Sequence, residues 1–525
     1  MSIYYGIINF MKKFFLTVLF LFFCFNAVFS QAQDNNVSSF KGRQPKDLEK
    51  ILMDFDEYAA KTQKRWNVPG MSVAIAADGK IVYKKSFGVK RSGKSDKVDN
   101  RTLFQIASCS KAFTSALAAM LVDRGYFRWE DKVTDYLPDF RLDDKKVSDE
   151  MTIEDMLAQY SGLPAYSQHL MMLFGYDAGY VIRSMRYIKP AGKFRQSYAY
   201  QNNFYLLMGE IIRKVTGKSW DYNIREYIFK PLAMSSSSTD YKSYLKSKNR
   251  SLGHYYSGGK LAVLSDELAY NCWPYNFASA SGVNSNIDDM SQWLLFLVND
   301  ASSFGWRLIS KENFDKLFDA RVLIDNAGGR KNFYCLGWKC MNYGGEDVIW
   351  HAGTTDGEGA YVSFIRNKRL GIAVLMNLPN GKMADALAKK FYDLYLGNPE
   401  VDWSAVKLEE ADKAHKKRLQ SRKRPPEIIV PPMELKKYEG IYNNVLYGDA
   451  EVKLEDGVLK FSAGPGKVWI TLKHYNGNSF DGTGVPGWRF KSPMFVFRVY
   501  ENSNIRGMTV EDMTDGTDTL FRKIK

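Results

Sequence analysis

Apolar residues follow two different spacings along the chain, and each spacing predicts one type of element. Spacings of three to four residues predict helices at 45–66, 104–125, 151–160, 203–216, 287–298 and 380–396. Alternating or continuous apolar runs predict strands at 334–341, 360–367 and 370–377, and a hairpin over 71–88. The hairpin comes first, the helices follow, and the strands return late. This order predicts an α+β fold in which both ends of one domain build a sheet around a helical insertion.

The pattern changes twice after the last of these helices. Residues 404–424 are densely charged and predicted to be helical, and 425–432 (PPEIIVPP) is typical of an extended linker. From 433 to 525, short alternating runs are separated by turn residues about every eight to twelve positions, as in a small antiparallel barrel or sandwich. We therefore predict a first domain over 33–400, a charged helix and proline-rich linker over 401–432, and a small β-barrel over 433–525.

The N-terminal residues have the layout of a secretory signal peptide. Residues 11–30 (MKKFFLTVLFLFFCFNAVFS) contain two lysines, then an apolar run, then small residues. The apolar run is shorter than the roughly 20 residues that a membrane span needs. We predict a signal peptide over 1–32 and a mature protein exported to the periplasm or the extracellular space. An uncleaved N-terminal anchor is the alternative interpretation.

Composition and charge restrict the class of protein and its partners. The chain has 525 residues, of which 45% are hydrophobic and 25% charged, as in a globular protein of two domains. The formal charge is +15, or +13 once Lys12 and Lys13 leave with the signal peptide. We interpret this excess as a solvated lysine-rich surface, with association to an anionic envelope as the alternative. The basic run HKKRLQSRKR belongs to the charged helix, so we predict no nucleic-acid partner.

The cysteines and histidines do not indicate a metal site or a disulfide framework. Four cysteines are too few to form a disulfide framework that stabilises a chain of this size, and no Cys-x-x-Cys motif occurs. The five histidines lie far apart. We therefore predict neither a metal nor an organic cofactor. The four cysteines of the mature chain are Cys109, Cys272, Cys335 and Cys340.

Ser108 and Lys111 form a Ser-x-x-Lys motif at the start of an apolar helical pattern. The same spacing also occurs at Ser38, Ser243, Ser257 and Ser404, so spacing alone does not identify a nucleophile. Only Ser108 directly follows an apolar run and opens an apolar helix. At a helix start the two side chains share a face, free N–H groups can hold an oxyanion, and a desolvated lysine can act as a base. The alternative is a helix-capping serine beside an exposed lysine.

Two later motifs change the interpretation of Ser108. The stretch YQN (200–202) precedes a predicted helix, and HAG (351–353) lies between strand-like runs. With Ser108 and Lys111 they follow the order Ser-x-x-Lys, Tyr-x-Asn, then Lys- or His-x-Gly. This set resembles the three motifs of the serine β-lactamase and penicillin-binding protein superfamily.

Other segments extend this resemblance over residues 50–398. They are DMLAQYSGLPAY (155–166), FKPLAMSSSS (229–238), ASASGVNSNIDDMSQWL (278–294) and YCLGWKC (334–340). The best subgroup match is the class C β-lactamase-like serine hydrolases, and the tail resembles their lipocalin-like C-terminal domain. The resemblance implies an antiparallel sheet flanked by helices over 33–400, followed by a lipocalin-like antiparallel barrel over 433–525.

The resemblance also assigns roles to seven residues. They are Ser108, Lys111, Tyr200, His351, Asn202, Gly353 and Thr354. It implies that Ser108 is the acyl-accepting nucleophile and that Lys111 and Tyr200 share the general-base and general-acid duties. It implies that Asn202 orients the substrate and that His351 stands on the cleft strand beside Gly353. The oxyanion hole is expected from the N–H groups of Ser108 and Thr354.

Two departures from the family pattern bear on the substrate. His351 replaces the lysine of most β-lactamases, and Ala352 replaces a hydroxyl residue, so a substrate carboxylate gains fewer contacts. Gln201 replaces a smaller residue of many relatives and is expected to narrow the cleft. We expect an exported serine hydrolase that forms an acyl-enzyme on D-amino-acid or cell-wall-type peptides. The alternatives are a carboxylesterase, a weak β-lactamase, or a non-catalytic envelope peptide-binding protein.

Overall fold

A computed structural model describes residues 45–266, 272–327, 330–420, 429–483, 493–500, 504–511 and 520–525. The predicted signal peptide and the junction 421–428 between the charged helix and the linker lie outside the described residues. Within these ranges, no helix combines the length and the apolar character needed to cross a bilayer.

The helices are concentrated between the first hairpin and the late strands. They are α1 Pro45–Arg65, α2 Ser110–Asp123, α3 Val133–Tyr136, α4 Lys145–Glu150, α5 Ile153–Leu157, α6 His169–Leu173, α7 Ala178–Ser184, α8 Asn203–Thr216, α9 Trp220–Ile224, α10 Tyr241–Lys246, α11 Trp273–Asn276, α12 Ala278–Ser281, α13 Ile287–Val298, α14 Lys311–Lys316, α15 Gly381–Leu396 and α16 Trp403–Gln420. Single 3-10 turns occur at Ala107–Cys109, Met185–Tyr187, Arg366–Lys368 and Leu435–Tyr438, and a π-helical turn at Arg225–Phe229.

The strands form one large sheet, three two-stranded pairs and a barrel. Those of the first domain are β1 Gly70–Ala77, β2 Lys80–Gly88, β3 Phe104–Gln105, β4 His254–Ser257, β5 Lys260–Val263, β6 Asn284–Ser285, β7 Ser302–Ser303, β8 Trp306–Arg307, β9 Val322–Ala327, β10 Arg330–Tyr334, β11 Lys339–Tyr343, β12 Glu346–Thr354, β13 Gly359–Ile365 and β14 Leu370–Met376. Those of the barrel are β15 Gly440–Asn444, β16 Gly448–Glu455, β17 Val458–Ala463, β18 Trp469–Asn476, β19 Ser479–Thr483, β20 Met494–Tyr500, β21 Asn504–Glu511 and β22 Leu520–Lys523.

The large sheet joins the two ends of the first domain. Its eight strands run in the order β2-β1-β14-β13-β12-β11-β10-β9, and each paired neighbour is antiparallel. The early strand β1 pairs with the late strand β14 from Met71↔Met376 to Ala76↔Gly371. The predicted α+β fold, with an antiparallel sheet around a helical insertion, is confirmed.

Helices cover both faces of this sheet. On one face a Cβ at Gly371 would lie 2.6 Å from Leu294 of α13, so the glycine lets that helix approach closely. Gly371 pairs with Phe364, whose neighbour Ser363 points to the opposite face because side chains alternate along a strand. There the Ser363 hydroxyl lies 2.8 Å from the hydroxyl of Tyr392 in α15. The sheet is therefore a buried layer between α13 and α15.

Helix α2 runs through the interior of the helical region. Every residue from Ser110 to Leu121 is buried, so the helix has no solvent-facing side. The Phe113 ring stacks on Trp293 of α13 at 4.0 Å between centroids. Lys111 lies in the first turn of this helix and is fully buried with the rest of it.

The C-terminal strands close into an eight-stranded barrel, which confirms the predicted barrel. Strand β15 pairs with β16 on one side and with β22 on the other. Aromatic rings fill the described interior: Phe461 lies 4.9 Å from Phe495, and Tyr438 lies 4.8 Å from Phe497. These four side chains are all at most 3% exposed.

Several predicted elements differ from the structure. The predicted helix over 104–125 is wrong at its start, where Phe104–Gln105 is a strand because it pairs with Asn284–Ser285. The predicted strand 334–341 is two strands, β10 and β11, because the chain turns at Gly337 with φ of +79°. The predicted helix 151–160 shortens to α5.

Candidate active site

Ser108 lies in a turn that connects a short strand to the buried helix α2. The turn Ala107–Cys109 follows β3, and α2 begins at Ser110. Ala107 has φ of +46°, a left-handed conformation that costs a non-glycine residue about 1–2 kcal/mol. The turn leaves Ser108 half-buried, whereas Ala107 and Cys109 are buried. Of these three residues, Ser108 is therefore the one whose side chain remains accessible.

The side-chain nitrogen of Lys111 lies within reach of three oxygen atoms. Its Nζ is 2.6 Å from Asn202 Oδ1, 3.1 Å from the carbonyl oxygen of Ala280 and 3.4 Å from Ser108 Oγ. Burial lowers the pKa of Lys111 well below its ordinary value of 10.5; the field of Cys109 opposes this shift, and the charge of Lys339 adds to it. The amine therefore favours its neutral form and can accept a proton from Ser108.

Tyr200 lies beside this amine and beside the serine. Its ring is 4.7 Å from Lys111 Nζ, and its hydroxyl forms a side-chain hydrogen bond with Ser108. Burial raises the pKa of Tyr200 well above 10, and the hydrogen bond with Ser108 offsets only part of this shift. Tyr200 therefore keeps its proton at neutral pH and can pass it on rather than act as a phenolate base.

His351 lies inside strand β12, not between strands as the apolar pattern predicted. Its pairing with Val362 places it on the α13 face of the sheet, with its ring 6.3 Å from that of Tyr200. Burial lowers the pKa of His351 well below 6.5, and the charge of Lys339 lowers it further. The neutral ring lies 2.8 Å from the Ala352 carbonyl through Nδ1 and 3.3 Å from the Tyr334 hydroxyl through Nε2. Since a carbonyl oxygen only accepts, the proton lies on Nδ1.

Gly353 is the point where strand β12 contacts the Ala107–Cys109 turn that carries Ser108. A Cβ at this position would lie 2.9 Å from the carbonyl carbon of Ile106 and 3.1 Å from the backbone nitrogen of Cys109. A side chain cannot be added there without moving the strand or the turn. The small residue therefore brings the end of β12 against the residues that flank Ser108.

Thr354 ends strand β12 and is exposed, with Gly359 opposite it. Because it follows Gly353, its backbone lies at the same edge of the sheet as the Ala107–Cys109 turn. The role of its N–H group, and that of Ser108, in an oxyanion hole stays a prediction. The other predicted residues, from Ser108 to Gly353, are all brought into one contiguous cluster.

Glu358 is a buried acid near the site that the sequence motifs do not predict. Its carboxylate accepts hydrogen bonds from the Gln105 N–H at 2.7 Å, from the Tyr244 hydroxyl at 3.2 Å and from the Ser251 hydroxyl. Burial raises its pKa to about 7, although these donors and Arg250 oppose the shift. The acid ties the β12–β13 connection to the strand before Ser108. In the sequence, Glu358 stands out as an isolated acidic residue at the start of the apolar run GEGAYVSF. This was the indication of a buried acid that the sequence offered.

His169 is a second residue near the site that the sequence does not predict. Its Nδ1 lies 3.4 Å from the amide nitrogen of Asn202. Its ring lies 6.1 Å from the Tyr166 ring and 5.5 Å from the Trp273 ring. No spacing links His169 to the three motifs, so only the fold brings it to Asn202.

A small cleft, partly open to solvent, lies beside the strand that precedes Ser108. Gln105, Trp273 and Glu358 line it together with Arg250. The Arg250 guanidinium forms an ion pair with Asp266 and is therefore already neutralised. The cleft presents mainly hydrogen-bonding and aromatic groups to a ligand.

Cys109 and Gln201 flank the motif residues but point away from the cleft. Cys109 is 2% exposed, its Sγ lies 3.5 Å from the His351 carbonyl oxygen, and burial raises the pKa of its thiol. Gln201 is fully buried and donates to the Pro164 carbonyl at 2.5 Å. The expectation that Gln201 narrows the cleft is wrong, because its side chain packs into the domain.

The described residues include no group of three or more His, Cys, Asp or Glu side chains that could hold a metal ion.

The comparisons with known proteins agree with this geometry. The chain is 26% identical over 477 residues to an unguisins hydrolase of Aspergillus violaceofuscus (strain CBS 115571), with 82% of each chain covered. It is 27% identical over 317 residues to protein flp of Staphylococcus aureus (strain MW2), with 60% of this chain and 61% of the relative covered. It shares its fold with the octameric penicillin-binding protein homologue from Pyrococcus abyssi at a TM-score of 0.57 and 22% identity, over 88% of this chain and 98% of that one.

Two family matches divide the chain. Residues 424–523 match DUF3471, a domain of unknown function, and include the strands of the closed barrel. Residues 55–396 match the beta-lactamase family, which is more than half of the chain and includes the whole cluster from Ser108 to Thr354. The chain therefore belongs to the beta-lactamase family and is a serine hydrolase.

Proposed function

We propose that the protein is an exported peptidase or amidase that cleaves its substrate through an acyl-enzyme on Ser108. The observation that carries this proposal is the set of acceptors around Lys111. A neutral amine has two N–H bonds and one lone pair. Asn202 Oδ1 and the Ala280 carbonyl accept the two N–H bonds, at 2.6 and 3.1 Å. The lone pair is then left for Ser108 Oγ at 3.4 Å, which is the geometry of a general base.

The reaction proceeds in two steps. In the first, Ser108 Oγ attacks the substrate carbonyl carbon, its proton passes to Lys111, and a new Oγ–C bond forms. The C–N bond breaks, and the leaving nitrogen takes a proton through the Tyr200 hydroxyl, which Lys111 then reprotonates. In the second, a water attacks the ester carbon and gives its proton to the same pair. The acid product leaves, and Ser108 regains its hydroxyl proton.

The charge around the cleft favours an amide or peptide over a β-lactam. Recognition of a β-lactam carboxylate benefits from a cation and a hydroxyl on the cleft strand. Here His351 is neutral because burial lowers its pKa, and Ala352 has no hydroxyl. Arg250, the cation that lines the cleft, is paired with Asp266. We therefore place D-amino-acid or cell-wall-type peptides first, with carboxylic esters second.

Labelling with a fluorophosphonate probe tests the nucleophile. The Oγ–P bond forms, fluoride leaves, and the Ser108 proton goes to Lys111. The wild type should be labelled and Ser108→Ala should not. Ser257→Ala is the matched control, because Ser257 has the same spacing to a lysine but lies exposed in a hairpin. Equal labelling of Ser108→Ala would refute the proposal. Absence of labelling together with measurable peptide binding would favour a non-catalytic envelope receptor.

Turnover assays and cell fractionation test the substrate class and the export. Peptide anilides of D-amino acids should turn over faster than short-chain esters, and esters faster than a chromogenic cephalosporin. A reversed order would reject the peptidase assignment while keeping the acyl-enzyme. The mature protein should lie outside the cytoplasm and begin near residue 33. A cytoplasmic protein that retains residues 1–32 would reject export.

A further inference from the structure

We propose that His169 is a positioning residue for acylation: its neutral imidazole holds the Asn202 amide in the orientation that directs Lys111 toward Ser108. The inference rests on the proposed function of Ser108 and Lys111. His169 lies outside the three sequence motifs, and the role assigned to it concerns the first step of the reaction.

The hydrogen bonds of Asn202 determine which nitrogen of the His169 imidazole carries the proton. Asn202 Oδ1 accepts from Lys111 at 2.6 Å, so its amide nitrogen points away from the lysine. That nitrogen is 3.4 Å from His169 Nδ1. An amide nitrogen only donates, so Nδ1 must offer its lone pair and the ring proton must lie on Nε2. The chain of contacts from His169 through Asn202 to Lys111 is thus consistent only with a neutral imidazole.

Neighbouring aromatic rings hold the imidazole in place. Tyr166 meets His169 edge to face, at 6.1 Å and 88°, and Trp273 lies 5.5 Å away on another element. The Trp273 indole N–H donates to Asp356 at 2.7 Å, which fixes that ring in turn. A side chain held from two elements can orient Asn202 without large motions of its own.

The barrel anchors the far end of the helix that carries His169. Helix α6 leads into Phe174, which is fully buried and whose carbonyl accepts the Gly466 N–H at 2.7 Å. The Tyr176 hydroxyl donates to the carbonyl of Tyr447. The Phe174 ring also lies 6.3 Å from Phe461 in the barrel interior. The position of His169 therefore depends on both domains.

Protonation of His169 would reverse the contact with Asn202. A proton on Nδ1 would face the amide N–H, and Asn202 would have to turn its oxygen toward the imidazole. Lys111 would then lose an acceptor, and its lone pair would no longer be held toward Ser108. Among the described contacts, the titratable groups around His169 are Tyr166 in its own segment, Lys111 behind Asn202 and Asp356 behind Trp273. Burial raises the pKa of the Tyr166 hydroxyl, so this group keeps its proton at neutral pH and below.

The pH dependence of fluorophosphonate labelling tests this role. The variant His169→Asn places an amide oxygen where Nδ1 accepts, and it cannot titrate. At neutral pH it should be labelled close to the wild-type rate, and its loss of rate in acid should involve one proton fewer. His169→Phe removes the acceptor and should be labelled about tenfold more slowly at every pH, the effect of one lost hydrogen bond. The exposed His415 gives the control His415→Asn, with a wild-type profile.

Three outcomes would overturn the proposal. An acid limb in His169→Asn identical to that of the wild type would show that His169 does not titrate with the reaction. A wild-type rate in folded His169→Phe, checked by circular dichroism, would show that Asn202 needs no support from the imidazole. A wild type that is not labelled at any pH would remove the proposed function itself, and the inference with it.

Discussion

A methyl group added at Gly353 would collide with the turn that presents Ser108. The new carbon would lie 2.9 Å from the carbonyl carbon of Ile106, whereas ordinary contact begins at 3.4 Å. The Ile106 oxygen lies nearer still, since a C=O bond is about 1.2 Å long and this one points at the added carbon. Strand β12 and the turn must therefore separate by about 1–1.5 Å. The same oxygen accepts the Cys109 N–H at 3.2 Å, so the 3-10 turn is disturbed as well.

Gly353→Ala should lose activity far more than it loses stability. Overpacking of this size costs about 1–3 kcal/mol, which a folded domain of this length tolerates. A displacement of about 1 Å between reacting groups costs about 100-fold in rate. We expect the fluorophosphonate labelling rate to fall about 100-fold while circular dichroism stays native and the thermal midpoint falls modestly.

Gly381→Ala is the matched control for this variant. Gly381 begins helix α15, and a Cβ there meets nothing within 4 Å, so the added methyl should leave the labelling rate unchanged. A folded Gly353→Ala protein that is labelled within about twofold of the wild type would refute the reasoning. It would mean that the approach of β12 does not set the position of Ser108.

Three further variants test separate parts of the structure. Lys111→Met should lower the labelling rate about 1000-fold, and an unchanged rate would exclude Lys111 as the base. In the wild type, the labelling rate should rise with pH and level off at a pH below the ordinary pKa range of lysine, because burial lowers the pKa of Lys111. Glu358 has a folded pKa raised from 4.5 to about 7, so the folded state binds its proton more tightly than the unfolded chain does, and stability should fall by about 3 kcal/mol as pH rises through this window. Urea unfolding at about pH 4 and about pH 8 should show this loss in the wild type but not in Glu358→Gln, and an equal loss in both would contradict it. In the barrel, Gly464→Ala would place a carbon 2.8 Å from the Tyr176 ring, whereas Gly457→Ala meets open space at a similar positive φ. Labelling should slow only in Gly464→Ala, and equal rates would show that the barrel contact does not reach the active site.

Regular elements with a strong local pattern could be predicted from the sequence. The helices predicted at 203–216 and 287–298 have these same bounds in the structure. Both have apolar residues at helical spacing, and Asn286 caps the start of α13, where its side chain accepts the Asp289 N–H. Local information is sufficient in such segments because the helix and its cap are decided within a few residues.

The turn around Ser108 could not be predicted in the same way. Phe104–Gln105 has an apolar pattern that continues into the helix, but it pairs with Asn284–Ser285 about 180 residues later. A local apolar pattern contains no information about a pairing partner so far away in the sequence. The left-handed conformation of Ala107 is equally unexpected, because glycine is the residue that usually adopts it.

Within the site, the motifs identified the residues to which the proposed chemistry is assigned, but not the residues that contact them from elsewhere in the fold. Ser108, Lys111 and Asn202 were predicted from their order along the chain, and the structure brings them together. Glu358 contacts Gln105 in the strand before Ser108, and His169 contacts Asn202, in both cases across the fold. Their positions depend on tertiary packing, which cannot be predicted from the spacing of residues along the sequence.

The closed barrel also has a consequence for how the chain avoids self-association. Every described barrel strand has a partner on both sides, so its N–H and C=O groups are not offered to another chain. An open sheet of similar strands would have two edge strands, and the unpaired backbone groups of each could pair with a strand of another molecule. The outer strand β2 of the large sheet instead carries three lysines, Lys80, Lys84 and Lys85, which discourage such pairing. Fusion of the barrel therefore enlarges the hydrolase without adding a polymerisation edge.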